Sequence, residues 1–302
     1  MRRIESGVVR PGWEAEVETQ GLVYNRTHLP GGEVRSYWRE GPFYDFSMAE
    51  ITELEGAVSQ LFQMCVAAGD HVVDNDLFDR LHIPPIAWPQ IRRTWAEEPP
   101  SIYGRFDLRY DGAGPAKLLE YNADTPTSVY ETAVFQWLWL EEQMATGALP
   151  ANADQFNSLH EKLVERFRAI FPDGGFVHFS SDAEFVEDRQ TVRFLEDLAR
   201  QAGLDPEFVP IDQIGLNADG RFVDQNDYLI GAMFKLYPWE QMLRDDYAAP
   251  LPTADVTVLE PAWKSILSNK AILPLLWERH AGHPNLLESY FEGDPAEAAL
   301  GS

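Results

Sequence analysis

Tyr103-Gly104-Arg105-Phe106-Asp107-Leu108-Arg109-Tyr110, followed by Lys117-Leu118-Leu119-Glu120-Tyr121-Asn122-Ala123-Asp124-Thr125-Pro126-Thr127-Ser128, is the stretch that decides how this sequence folds. Side chains two apart share a face of an extended strand. Tyr103, Arg105, Asp107 and Arg109 therefore lie on one side, and Phe106, Leu108 and Tyr110 on the other. Asp111-Gly112-Ala113-Gly114-Pro115 is turn chemistry, and Lys117 to Asn122 resumes as a strand. The pattern predicts a β-hairpin with Asp107 opposite Glu120, to within a residue or two.

Two carboxylates facing each other across a ladder repel and require a cation. Arg105, on the same face, is one. Asp107, Glu120 and Asn122 also bring together three oxygen donors, the ligand type of a hard ion such as Mg²⁺. From spacing, both readings stay open: an exposed hairpin with Arg–carboxylate pairs of small energetic weight, or a metal site. The turn Ala123-Asp124-Thr125-Pro126-Thr127-Ser128 then places three hydroxyls and a carboxylate ahead of a helix. Such a start suits helix capping, and it also suits an anionic group.

Outward from the hairpin, Ser47 precedes Glu50 by three, and Ile51, Leu54, Val58, Leu61, Phe62 and Cys65 follow at helical spacing. A long helix over about 48–69 is predicted. Pro84, Pro85 and Pro89 break Leu81–Trp95 into short pieces. Residues 1–46 show little periodicity and read as an irregular, packed lead-in. After the hairpin, a helix is expected from about Ser128 to Met144, then a boundary at Gly147-Ala148-Leu149-Pro150-Ala151-Asn152.

Beyond it, Phe156, Leu159, Leu163, Phe167 and Ile170 mark a helix. A strand at Phe176–Phe179, a helix from about Asp188 to Ala202 stopped by Gly203, and a strand near Phe208–Pro210 form a β-α-β unit. A strand at Tyr228–Phe234 leads to Lys235, which reads either as a phosphate or carboxylate contact or as a solvated strand end. Leu259-Glu260-Pro261-Ala262-Trp263-Lys264 precedes Ser268-Asn269-Lys270, which opens a helix through Trp277. The fold class is α/β (α+β), divided at 1–150, 151–250 and 251–302.

Composition sets limits. The chain has 302 residues, 45% hydrophobic and 12% aromatic, enough for one large domain or two moderate ones. With 24 Lys and Arg against 49 Asp and Glu, the net charge of −25 repels nucleic acid and anionic membranes. A bound phosphate then needs local cations or a metal. Cys65 is the single cysteine, so no intrachain disulfide is possible, and its apolar surroundings suggest a buried thiol. The start lacks the apolar run of a signal peptide and no stretch is long enough to span a bilayer, so a cytoplasmic protein is expected. His280 and His283 sit three apart without a nearby acidic partner and read as exposed loop or helix-end residues, which weakens a metal-hydrolase reading.

Gly104-Arg105-Phe106-Asp107 with Leu119-Glu120-Tyr121-Asn122-Ala123-Asp124-Thr125-Pro126-Thr127 resembles the synthetase domain of the glutathionylspermidine synthase family. Glu260-Pro261-Ala262-Trp263-Lys264 and Asn269-Lys270-Ala271-Ile272-Leu273-Pro274 resemble a second motif of that family, and the likeness runs from about residue 13 to 297. The resemblance implies an ATP-grasp-type synthetase with an inserted β-α-β subdomain and no amidase domain in front. It implies an ATP- and magnesium-dependent ligase that joins a small-molecule or peptide carboxylate to an amine, such as a polyamine, through an acyl phosphate.

Carried over by position, Asp107, Glu120 and Asn122 match magnesium ligands, and Arg105 the arginine that steadies the transferring phosphoryl group of ATP. Lys270 matches a lysine that contacts ATP. Thr125 and Thr127 stand where the family has hydroxyl residues beside the peptide substrate. Glu187 and Asp188 fall near an acidic pair that meets the amine; as residues alone they are a solvated first helical turn, where acids are favoured. No Lys-Pro plus glycine-rich motif occurs up to Ser302. The resemblance then gives 251–302 as the start of the ATP-grasp lobe, and a chain that by itself holds ATP and Mg²⁺ weakly. The alternative is an inactive binding or regulatory protein on the same scaffold.

Overall fold

In the computed structural model, which describes residues 1–5 and 9–296, strands Gly175–Ser181 and Leu204–Pro210 pair in parallel from Gly175 beside Leu204 to Ser181 beside Pro210. Helix Val186–Ala202 joins them and buries Thr191, Val192, Phe194, Leu195, Leu198 and Ala199, a stripe at spacings of three and four. Gly203 ends it in the left-handed conformation (φ 93°), its N–H donating to the Ala199 and Arg200 carbonyls. This is the expected β-α-β unit, and the α/β class holds.

Packing divides the chain into two units, Met1–Ser47 with Thr127–Pro210 and Met48–Pro126 with Ile211–Ser302. Each is assembled from two separated stretches, whereas the sequence division runs consecutively. The first unit holds the β-α-β element and helix Leu159–Ile170, which packs on the crossover helix and buries Leu163, Val164 and Phe167. Its lead-in is more regular than expected: helix Trp13–Gln20 and two antiparallel ladders, Arg2–Glu5 with Pro42–Asp45 and Arg26–His28 with Val34–Ser36. These strands are three or four residues long and bury little, so they leave no alternation to read. The helix expected near Ser128 passes through a π-helical turn at Glu131–Phe135 into Gln136–Ala145.

The second unit is built on helix Met48–Asp74, which runs beyond the predicted 48–69 and buries Ile51, Leu61, Met64, Cys65, Ala68 and Val72. Each of the larger apolar side chains contributes about 1.5–3 kcal/mol when fully buried. Burial pushes the Cys65 thiol up to about 12. Leu77–Leu81 and Pro85–Ala87 are short 3-10 turns, the second opening on Pro85 as the proline pattern leads one to expect. Trp88–Glu97, however, is a ten-residue helix. Pro89 sits in its first turn, where a missing N–H costs nothing. The strand expected at 228–234 lies at Ala232–Leu236, paired in parallel with Thr257–Leu259. Asp224 holds a turn first, its Oδ1 accepting from the Asn226 and Tyr228 N–H groups. Helix Ile272–Arg279 closes the unit.

Candidate active site

The hairpin forms as Arg105–Arg109 against Lys117–Asn122, with Asp107 directly opposite Glu120 and Arg105 opposite Asn122. After Asp107 the register shifts, so Leu108 faces Leu118 and Leu119 is an extra, bulged residue. The bulge lets Leu118 and Tyr121 both turn inward while Leu119 stays exposed. Phe106 stacks on Tyr121 with ring centroids 4.0 Å apart and planes 4° from parallel. Phe62 of the long helix meets the same tyrosine edge-on at 6.3 Å. A Cβ on Gly104 would lie 2.8 Å from the Tyr121 ring, so any larger residue there forces the ring to shift. These contacts fix the polar face of the hairpin.

On that face, Arg105 Nε donates to Asp107 Oδ1 at 2.7 Å and its Nη2 to Oδ2 at 3.2 Å. Asn122 Nδ2 lies between the acids, 3.0 Å from Glu120 Oε1 and 3.5 Å from Asp107 Oδ2. Lys270 forms an ion pair with Glu120. The Asp107 and Glu120 side chains are 34% and 29% exposed, so a ligand reaches them. The ion pairs of the simpler reading are thus present, together with the convergence that a cation needs. Among the described residues no group of three His, Cys, Asp or Glu side chains gathers around one point. A metal here would rest on two carboxylates and the Asn122 amide oxygen, presented by turning the amide over, with water or phosphate oxygens in the remaining positions. That donor set suits Mg²⁺, which keeps several such ligands.

The second motif anchors the first. Glu260 is fully buried, and its Oε1 accepts from the N–H groups of Ile102 and Tyr103 at 2.8 and 2.9 Å. Its Oε2 accepts from Ser101 Oγ at 2.5 Å and pairs with Lys264 Nζ at 2.5 Å. Lys264 in turn donates to the Tyr103 carbonyl at 2.8 Å. One buried ion pair therefore grips the three residues that lead into the hairpin. At the other end, Ser268 Oγ accepts from the N–H groups of Ala123 and Asp124 at 3.0 and 2.8 Å. Asn269 donates to the Leu81 carbonyl. Lys270 is thereby aimed at Glu120.

Lys235 is not a solvated strand end: it is fully buried. Its Nζ donates to Asp124 Oδ1 and to the Tyr237 carbonyl, both at 2.8 Å, and lies 4.3 Å from the centre of the Trp239 ring. Burial lowers its pKa, and Asp124 opposes that. Asp124 Oδ2 accepts the Trp239 N–H at 2.6 Å. Sequence patterns do not single out Asp124, Glu260, Lys264 or Ser268 as fixing the site; the one local signal is the Glu260–Lys264 spacing of four. Beside the fixed turn lies a cavity of about 170 Å³ lined by Asn122, Asp124, Thr125, Ser265, Ser268 and Asn269 among others. Thr125 is thus placed next to Asn122.

Thr127, Glu187 and Asp188 belong to the other unit. Glu187 and Asp188 occupy the first turn of Val186–Ala202. Burial, with Glu187 and Asp182 nearby, holds the Asp188 carboxyl up at about 6. Tyr24 and Tyr37 of the same unit feel the charge of Glu187 as well as that of Glu131.

Residues 4–300 match the family described as glutathionylspermidine synthase preATP-grasp. The chain belongs to this family. It is 37% identical over 296 residues to a Haemophilus influenzae protein provisionally named an acid–amine ligase, covering 96% of this chain and 73% of that one. The bifunctional glutathionylspermidine synthetase/amidase of Escherichia coli is 28% identical, over 83% of this chain and 44% of its own length. The trypanothione synthetase of Crithidia fasciculata is 26% identical, over 93% and 45%. The chain therefore spans less than half the length of these last two. The family is one of carbon–nitrogen ligases. Among the described residues no helix is long and apolar enough to cross a membrane.

Proposed function

We propose that the chain carries the magnesium and acyl-phosphate side of an ATP-dependent ligase that joins a carboxylate to an amine. One observation bears most of the weight: Asp107 and Glu120 stand side by side, bridged by Asn122 and flanked by Arg105 and Lys270. Phosphoryl transfer needs positioning and charge neutralisation more than a nucleophilic side chain. In this reading Asp107, Glu120 and Asn122 hold Mg²⁺, which when bound neutralises phosphate oxygens. Arg105 and Lys270 then turn from their carboxylates toward phosphate. Arg105 suits the transferring group because its planar fork matches phosphoryl oxygens. Lys270, whose side chain is 73% exposed, suits the nucleotide.

Thr125, beside the cavity, and Thr127 are proposed to meet a peptide-like carboxylate substrate, and Glu187 and Asp188 a cationic amine. The relatives named for glutathionylspermidine and trypanothione synthesis support a small peptide and a polyamine as the pair. A cytoplasmic location is part of the same proposal. The test is Asp107→Asn. It is expected to weaken Mg²⁺-dependent nucleotide binding about tenfold or more while the melting temperature holds, because one ligand of a hard ion is lost. Unchanged affinity overturns the metal assignment. Mass spectrometry of products from the protein with ATP, Mg²⁺, peptides and amines reads the ligase activity directly.

A further inference from the structure

A cavity of about 840 Å³ opens within the unit formed by Met1–Ser47 and Thr127–Pro210, and none of the residues assigned above to magnesium, phosphate, peptide or amine lines it. It lies between the ladder of Arg2–Glu5 with Pro42–Asp45, helix Gln136–Ala145 and the segment 149–156. Its walls are aromatic: Trp38, Phe43, Phe46, Trp139 and Phe156 line it together with Leu140. Phe43 and Trp139 stand 5.6 Å apart at 49°, and Phe156 meets Phe46 edge-on, also at 5.6 Å. One residue holds both indoles in place. Trp38 Nε1 donates to Glu40 Oε2 at 2.8 Å, and Trp139 Nε1 donates to the Glu40 carbonyl at 3.1 Å. Glu40 is itself buried and clamped by Arg10, whose Nε and Nη2 donate to its two carboxylate oxygens. The indole N–H groups are thus satisfied within the fold, and what the rings offer a ligand is apolar face. Walls fixed in this way lose little freedom when a ligand arrives. The volume falls within the roughly 300–1,000 Å³ of small-molecule sites.

The charged lining indicates what kind of molecule fits. Among the described residues four charged side chains line the cavity: Arg2, Arg39, Asp45 and Asp154. Arg2 and Asp45 pair with each other at 2.5 Å, and Asp154 Oδ1 accepts the Gln155 N–H at 2.9 Å. Arg39 is exposed and has no ion pair or hydrogen bond among the described residues. In a chain with 49 acidic side chains against 24 Lys and Arg, a guanidinium that no carboxylate has taken stands out. Its planar fork accommodates a carboxylate through two parallel hydrogen bonds.

We propose that this cavity binds an aromatic carboxylic acid, with its ring system between the tryptophan and phenylalanine walls and its carboxylate on Arg39. The site is independent of the ligase reading. Aromatic pairs attract beyond the area they bury, which favours an aryl body over an alkyl chain of similar length. Arg39 is then the residue that separates acids from their neutral amides.

The experiment is calorimetric titration of the protein with 2-naphthylacetate, with its neutral amide, and with octanoate as an alkyl acid of similar length. The naphthyl acid is expected to bind about fivefold more tightly than the amide, the scale of an ion pair at an exposed rim, and more tightly than octanoate. Arg39→Gln is expected to bring the acid down to the amide and to leave the amide unchanged. Phe156→Ala alters a side chain that is 58% exposed, so the melting temperature is expected to hold. It is expected to weaken acid and amide alike, about threefold to tenfold, and to keep the preference for the acid. Absence of binding, equal affinity for acid and amide, octanoate binding as tightly as the naphthyl acid, or an Arg39→Gln protein that still prefers the acid overturns the site. So does a protein that sediments as a dimer and becomes a monomer in Phe156→Ala, because the cavity is then an interface between two copies of the chain.

Discussion

Glu260 is fully buried and meets four donors, of which Lys264 is the cation. Its worth is conditional: a buried pair repays its desolvation only while both partners are present. Glu260→Gln keeps the shape but puts a neutral amide where the carboxylate meets buried Lys264. The expected cost is about 3–5 kcal/mol of stability, read from urea unfolding. The same reasoning applies to Lys235, which pairs with Asp124 in a place closed to solvent. Arg105 differs. Its pair with Asp107 is about one-third exposed on both sides, so exchanging partners is inexpensive, which a residue that must turn toward substrate requires.

At the scale of elements, the hairpin is a stack of constraints around Tyr121. Gly104→Ala pushes a methyl into that ring, and Tyr121 is already sandwiched by Phe106 and Phe62. We expect a loss of about 1–3 kcal/mol, the usual range for overpacking, together with weaker Mg²⁺-dependent nucleotide binding. Thermal melts and nucleotide titration check the two effects. The hairpin's register was legible because alternation and a glycine turn specify it locally. The bulge at Leu119 was not, since Leu118 and Leu119 are equally apolar and alternation cannot say which one turns out. Pro89 was misleading for a different reason: proline breaks a helix interior but is welcome at its start. Lys235 looked solvated because its partner, Asp124, lies 111 residues away and no local pattern points to it.

For the whole molecule, composition spoke to surroundings and not to architecture. The charge of −25 argued against nucleic acid and anionic membranes. It could not reveal that Thr127, Glu187 and Asp188 fall in one unit and Arg105, Asp107, Glu120, Asn122, Thr125 and Lys270 in the other. Unit membership is decided by long-range packing, and the order of motifs along the chain carries no trace of it.

The grip of Glu260 on Ser101 spans 159 residues, and that span is also an interval of time. Ribosomes add about 5–20 residues per second, so the hairpin emerges roughly 8–30 s before its anchor exists. Closing so long a loop is also slow in refolding, where contacts near in sequence form first. The parallel pair Gly175–Ser181 with Leu204–Pro210 has no such wait. Pulse-labelled amide exchange during refolding from urea is therefore expected to protect Val177 and Phe179 before Phe106 and Tyr121. Simultaneous protection would count against this order. The acidic cluster of the hairpin is thus born early and finished late, and a newborn chain passes through an interval in which those acids have no settled place.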